Sequence, residues 1–166
     1  DGDAYSKFTL FLIGHGDSEV KLLNQLKGEE EYTFNIDGTT PFPSRDEFVD
    51  DHDREPNKND IFRNELELIS NLNLMISMDS ANGHLAANYD VPVITLWGHT
   101  HPYAGFTTFN YDSKNQFTVD REKFPMIPTS IYGNKNTNGY DDAMRTIKFD
   151  EIVKRVDEIF EEWAED

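Results

Sequence analysis

The chain contains no cysteine, so a disulfide framework and a thiolate metal centre are both excluded. It is poor in positive charge: 15 Lys and Arg face 32 Asp and Glu, a net charge of −17. So negative a surface argues against nucleic acid or an anionic membrane as a general partner. It leaves room for one phosphate site, because backbone amides can hold an anion locally. No apolar run approaches the ~20 residues of a membrane span, and no signal-peptide pattern is visible. The default expectation is a reducing, cytoplasmic setting. At 166 residues the chain suits one domain with a core of its own.

The most informative stretch runs from Leu74 to Phe106. Leu74 to Met78 is an apolar run short enough for a buried strand. Asp79-Ser80-Ala81-Asn82-Gly83 then offers small and polar residues where a strand turns into a helix. His84 to Tyr89 reads as that helix, and Val91-Pro92 restarts the chain into a second buried strand, Val93 to Trp97. This order puts the loop outside the carboxyl end of a parallel strand, where open α/β sheets bind ligands. Free N–H groups and the helix dipole make such a corner suitable for a pyrophosphate.

Elsewhere the pattern is also α/β. Phe8 to Ile13 and Tyr32 to Ile36 read as strands, and Gly14 to Glu19 as a turn into a short helix bearing Val20, Leu23 and Leu26. Residues 37–60 are rich in Asp, Asn and Pro with no apolar period, which predicts an acidic surface insertion, mobile from Pro41 to Asp60. Asn59 or Asp60 caps a helix with Phe62, Leu66 and Ile69 on one face, ending at Asn71. Thr107 to Pro128 reads as loop, Thr129 to Tyr132 as a short strand, and Gly133 to Gly139 as a turn. Ile152, Val156, Ile159 and Trp163 mark a C-terminal amphipathic helix. The expected fold is a single Rossmann-like lobe over residues 1–166, a mostly parallel sheet with flanking helices.

Asp79-Ser80-Ala81-Asn82-Gly83-His84-Leu85-Ala86-Ala87, followed by Val91-Pro92-Val93, resembles the D-[ST]-G-x-x-H-L-A-A…G-V-P signature of glycosyltransferase family 9, the heptosyltransferase-like enzymes. Gly98, Thr100, Pro102 and Tyr103 are similar to that family's G-x-T-x-P loop. Ala81 and Asp90 depart from the pattern, each standing where the family usually has Gly. The resemblance implies the C-terminal, donor-binding lobe of a two-lobed GT-B fold, incomplete at its N-terminus. The parent reaction would be inverting transfer of a sugar, a heptose from an ADP-activated donor, onto a lipopolysaccharide-type glycan. The acceptor and the catalytic base would belong to the N-terminal lobe, so no catalytic residue is assigned here, and no metal or other cofactor is expected. In a full-length protein the resemblance places the lobe in the cytoplasm, peripheral at the inner membrane. This chain alone should then be inactive and bind nucleotide no tighter than about millimolar, with binding that improves as salt screens the negative field.

The chemistry assigns roles within that frame. The loop Ser80 to His84 would grip the departing diphosphate through amides, a hydroxyl and an imidazole. Asp79 would accept hydrogen bonds from donor-sugar hydroxyls or orient the loop. The base would lie near the Gly98 to Phe106 loop, where Thr100 offers a hydroxyl and Tyr103 or Phe106 a face for base or sugar. Set beside this, Asp79 or Ser80 is merely a helix cap and His84 a packed imidazole. A rival reading takes His99 and His101 as a metal pair, with Asp79 or His84 completing the shell of a metallohydrolase. A third is a non-catalytic nucleotide-binding lobe.

Overall fold

The structure is a computed structural model that describes residues 10–13, 33–36 and 58–164, apart from 134 and 136. The chain divides into two units, residues 1–65 and 66–166. In the first, β1 (Leu10–Ile13) pairs in parallel with β2 (Thr33–Ile36), both inside the strands expected from the apolar runs. The expected turn and helix between them lie outside the described residues. So does the acidic insertion up to residue 57.

Helix α1 (Lys58–Ser70) runs across the division between the units. Its start precedes the expected cap by a residue or two. The face it buries also differs from the expected one: Leu68, Ile69 and Glu65 are buried, whereas Phe62 is half exposed. The helix is turned so that its C-terminal half, nearest the next strand, carries the packing.

The second unit is built on three parallel strands, β3 (Met75–Met78), β4 (Val93–Trp97) and β5 (Gln116–Thr118), in the order β3-β4-β5. Helix α2 (Ala81–Asn88) connects β3 to β4. Central β4 is buried at Val93, Ile94, Thr95 and Trp97, as a strand covered on both faces should be. Outer strand β3 alternates instead, with Met75 and Ser77 buried and Ile76 and Met78 about half exposed. Parallel strands with flanking helices make this an α/β, Rossmann-like unit.

Two differences from the sequence reading concern the region after Trp97. Gln116 to Thr118 is a strand inside what reads as loop, formed because its backbone completes the second side of β4. Thr129 to Tyr132, expected as a strand, is a series of bends and turns. Thr129 donates its N–H to the His99 carbonyl at 3.3 Å, a single tie and not a ladder. Around that segment Val119, Ile127 and Ala143 form a small satellite core, with Phe124, Tyr140, Met144 and Ile147 packed on it. Helix α3 (Phe149–Ala164) closes the chain; Ile159 is buried, while Trp163, expected on the same face, is 42% exposed. Among the described residues no helix is long and apolar enough to cross a membrane.

Candidate functional site

The turn from β3 into α2 is shaped by small residues. Ser80 precedes the helix with an extended backbone, φ −148°, and its side chain does not cap it. The hydroxyl turns back to Ser77, Oγ to Oγ 2.9 Å, while Ser77 also lies 2.7 Å from the Met78 carbonyl oxygen. A cap by Ser80, the plain structural reading of this residue, is therefore not what the structure shows. Amides of a first helical turn have no intrahelical acceptor, which is what suits a helix start to an anion.

Gly83, Ala86 and Ala87 form the buried face of α2, at the i, i+3, i+4 spacing of one helix side. A Cβ on Gly83 would sit 3.4 Å from the Ser77 side chain and 3.5 Å from Val93 Cγ1, so the helix lies flush on β3 and β4. Its far end is a Schellman turn: Val91 N–H to the Ala86 carbonyl at 3.1 Å and Asp90 N–H to Ala87 at 3.0 Å. Asp90 adopts the left-handed conformation that this turn demands, φ 60°, at the position where the resembled signature has Gly. Asp pays a modest strain there that Gly avoids. Ala81, the other departure, takes no positive φ and opens the helix as an ordinary residue.

At the carboxyl end of β3 a small cleft is lined by Met78, Asp79, Ser80, Gly83 and His84. Thr95 from β4, with Phe106 and Thr108 from the following loop, completes the lining. Four residues of the motif thus meet at one cavity, and Phe106 faces it as one of the two aromatics proposed for stacking. Ala81 and Asn82 adjoin it on the first turn of α2. Met78, Thr95 and Thr108 are lining residues that sequence reasoning missed. For Thr95 a signal existed, since it is the one polar residue in Val93–Trp97; Thr108, in a loop, carried none.

The remaining expected contacts lie elsewhere. Gly98 is buried, and a Cβ there would come 2.6 Å from Met144 Sδ, so it serves packing against the satellite core. Thr100 turns its methyl toward Gly133, where an added Cβ would approach it to 2.8 Å. Tyr103 is 76% exposed and does not line the cleft; Arg121 Cζ stands 5.4 Å from its ring centre.

His99 and His101 have local duties. His99 Nε2–H donates to the Tyr140 carbonyl at 3.3 Å. His101 is buried, its ring 3.8 Å from that of Tyr103, and its Nδ1 accepts the Tyr103 N–H at 3.2 Å, capping the short helical turn Pro102–Ala104. Among the described residues no three His, Asp or Glu side chains are grouped to hold a metal.

Burial, reinforced by the Arg121 charge, holds the His101 pKa below its ordinary 6.5. The unfolded chain therefore takes up a proton that the fold refuses once the pH drops below 6.5. The stability this contributes is complete above 6.5 and is lost as the pH falls toward the lowered folded value. Protonated Nδ1 can no longer accept the Tyr103 N–H. Thermal melts across this window should show a fall in Tm with acidity that is smaller in a His101→Gln variant. Equal slopes in the two proteins would remove His101 as the cause.

Residues 62–134 match the model of glycosyltransferase family 9 (heptosyltransferase). No curated protein and no solved structure matches the chain. The matched segment contains β3, α2, β4 and β5, and with them every residue that lines the cleft. Over this segment, strand, turn, helix and cleft together, the chain is similar to glycosyltransferase family 9.

Proposed function

We propose, from the similarity of residues 62–134 to glycosyltransferase family 9, that the protein serves glycosyl transfer. We propose that the β3–α2 corner binds the diphosphate of a nucleotide-sugar donor, in the donor-binding lobe of an inverting enzyme of GT-B type. The donor in this reading is ADP-heptose and the acceptor a lipopolysaccharide-type glycan presented by a second lobe. The observation that carries it is the convergence of Asp79, Ser80, Gly83 and His84 on one cleft at a helix start.

The physical reason lies in the leaving group. As the glycosidic bond breaks, negative charge grows on the departing phosphate oxygens, and donors already in place stabilise it without reorganising. The first-turn amides of α2 and the exposed imidazole of His84 supply such donors. With that charge taken by amides and imidazole, no metal is required in this reading. Asp79, an anion beside the diphosphate, suits sugar hydroxyls as an acceptor and not phosphate. His99 and His101, engaged with Tyr140 and Tyr103, favour no competing metal chemistry.

Adding ADP to the labelled protein should shift the amide resonances of residues 80–84 more than those of the satellite core. His84→Ala should weaken ADP binding by about 1–2 kcal/mol, the worth of one hydrogen bond to a charged partner. Shifts clustered elsewhere, with residues 80–84 silent, would overturn the assignment.

A further inference from the structure

The chain holds two Asn-Gly pairs, Asn82-Gly83 and Asn138-Gly139, and the fold places them in opposite settings. At Asn-Gly a backbone amide most readily attacks the preceding side-chain amide, because Gly has no Cβ to hinder the approach. Asn82 and Gly83 lie in the first turn of α2. Gly83 is buried, and a Cβ on it would meet Ser77 at 3.4 Å and Val93 at 3.5 Å. Closing a succinimide ring between these two residues would pull the backbone out of helical geometry and lift Gly83 off β3 and β4.

Asn138 and Gly139 are both exposed, at the central positions of a turn closed by the Tyr140 N–H on the Thr137 carbonyl at 3.1 Å. Gly139 has φ 82°, the left-handed value that a type II turn requires at its third residue. Nothing lies within 4 Å of where a Cβ on Gly139 would stand. The turn is closed by the amide of Tyr140 and not by that of Gly139, so ring closure at Asn138 meets neither a helix nor a packed neighbour.

We propose that Asn138 is a site of spontaneous deamidation, and that its isoaspartyl product loosens the anchorage of Tyr140. The Gly139 nitrogen gives its proton to solvent and attacks Asn138 Cγ. The N–Cγ bond forms, the Cγ–Nδ2 bond breaks, and the amide nitrogen leaves as ammonia after taking a proton from water. Water then opens the succinimide. Cleavage of the new N–Cγ bond yields aspartate in a normal backbone. Cleavage at the main-chain carbonyl leaves the chain running through Cγ, an isoaspartate with one methylene added to the backbone. That methylene disrupts the span of the turn that ends at Tyr140. The Tyr140 carbonyl accepts the His99 Nε2–H at 3.3 Å, and its hydroxyl accepts the Met126 N–H at 3.3 Å. Its ring meets Phe124 edge-on, centres 5.0 Å apart, against the satellite core.

Incubation of the full chain at neutral pH, followed by peptide mapping that separates aspartate from isoaspartate by mass spectrometry, tests the proposal. Asn138 should convert at least about tenfold faster than Asn82, whose reaction waits on the opening of α2. In denaturant the two rates should converge. Asn138→Gln should leave its peptide unconverted, since the longer side chain closes a less favourable ring. Aged protein should melt below fresh protein, whereas fresh Asn138→Asp, with the added charge on a normal backbone, should melt with the fresh unmodified chain. Conversion at Asn138 no faster than at Asn82 in the folded protein would overturn the site. A gap that persists in denaturant would also overturn it, because local sequence and not the fold would then set the rates. An unchanged Tm in the aged protein, or an equal fall in Asn138→Asp, would overturn the isoaspartyl link to Tyr140.

Discussion

Trp97→Ala should cost the protein about 3–5 kcal/mol, the range for emptying a fully buried aromatic site. Trp97 has no exposure, at the carboxyl end of the central strand, and is the largest fully buried side chain among the described residues. Its loss removes apolar core contact and leaves a cavity that close-packed neighbours fill only in part. It also deletes the indole N–H bond to Gln116 Oε1 at 2.9 Å, which ties β4 to β5. Native domains hold only about 5–15 kcal/mol in reserve, so this one change takes a large share of it. In a unit of this size each kcal/mol is worth roughly 4–8 °C, so the melting temperature should fall by about 12–40 °C. Trp97→Phe, which keeps most of the volume and loses the N–H, should cost about 1–2 kcal/mol. Denaturant titration of both variants is the check. A loss below about 1 kcal/mol for Trp97→Ala would mean that β4 is not the keystone of this unit.

Arg155→Ala should be the next most damaging change, at about 2 kcal/mol. Arg155 is buried on helix α3, yet its guanidinium reaches four partners. Nε donates to Asn115 Oδ1 at 2.7 Å, and Nη1 to Glu158 and Glu162 at 3.2 and 3.1 Å. Nη2 stands 3.5 Å from Asp112. Burial works against the charge, but the hydrogen bonds that Arg155 donates to Glu162 and Glu158 outweigh it and the guanidinium pKa is raised. The three carboxylates are 40–60% exposed, so water screens their attraction and each ion pair contributes little. The buried Asn115 bond matters more, because truncating Arg155 leaves an enclosed amide oxygen without its donor. Through it, α3 is pinned to the turn that leads into β5. Arg155→Lys should recover only part of the loss, since an ammonium cannot reproduce the planar fork. Thermal unfolding of the Ala and Lys variants at two salt concentrations checks this. A loss that vanishes at high salt would assign the effect to the carboxylates and not to Asn115.

How far each region was legible follows from how local its determinants are. Val93 to Trp97 was readable to the residue, because an unbroken apolar run after Val-Pro has few alternatives to a buried strand. Asp90 was readable as a left-handed helix end for the same kind of reason: it is a tolerant residue placed between a helical run and a Pro. The helix from Ala81 was placed three residues late at His84, since Ala81-Asn82-Gly83 has weak helix preference and owes its conformation to packing on β3 and β4. β5 was illegible: three residues have no period, and only pairing with β4 makes them a strand. In α1 the spacing of Phe62, Leu66 and Ile69 named an apolar face, but a helix can rotate about its axis at little local cost. The buried Arg155 ran against composition altogether, since arginine is seldom enclosed unless its donors are matched from several elements.

The sequence by itself determined the α/β alternation, the strand-turn-helix corner and the residues Asp79 to His84 that line or adjoin the cleft. These depend on apolar period and on small residues at a turn, which act over a few positions. Only the tertiary structure decided that Gly98, Thr100 and Tyr103 stand apart from that cleft and that Thr95, Thr108 and Phe106 complete it. Those residues are brought to it by separate segments, β4 and the loop after it. Which side chains share a cavity depends on how strands register and how loops return, and that is set by burial across the whole unit and not by any neighbour in the chain.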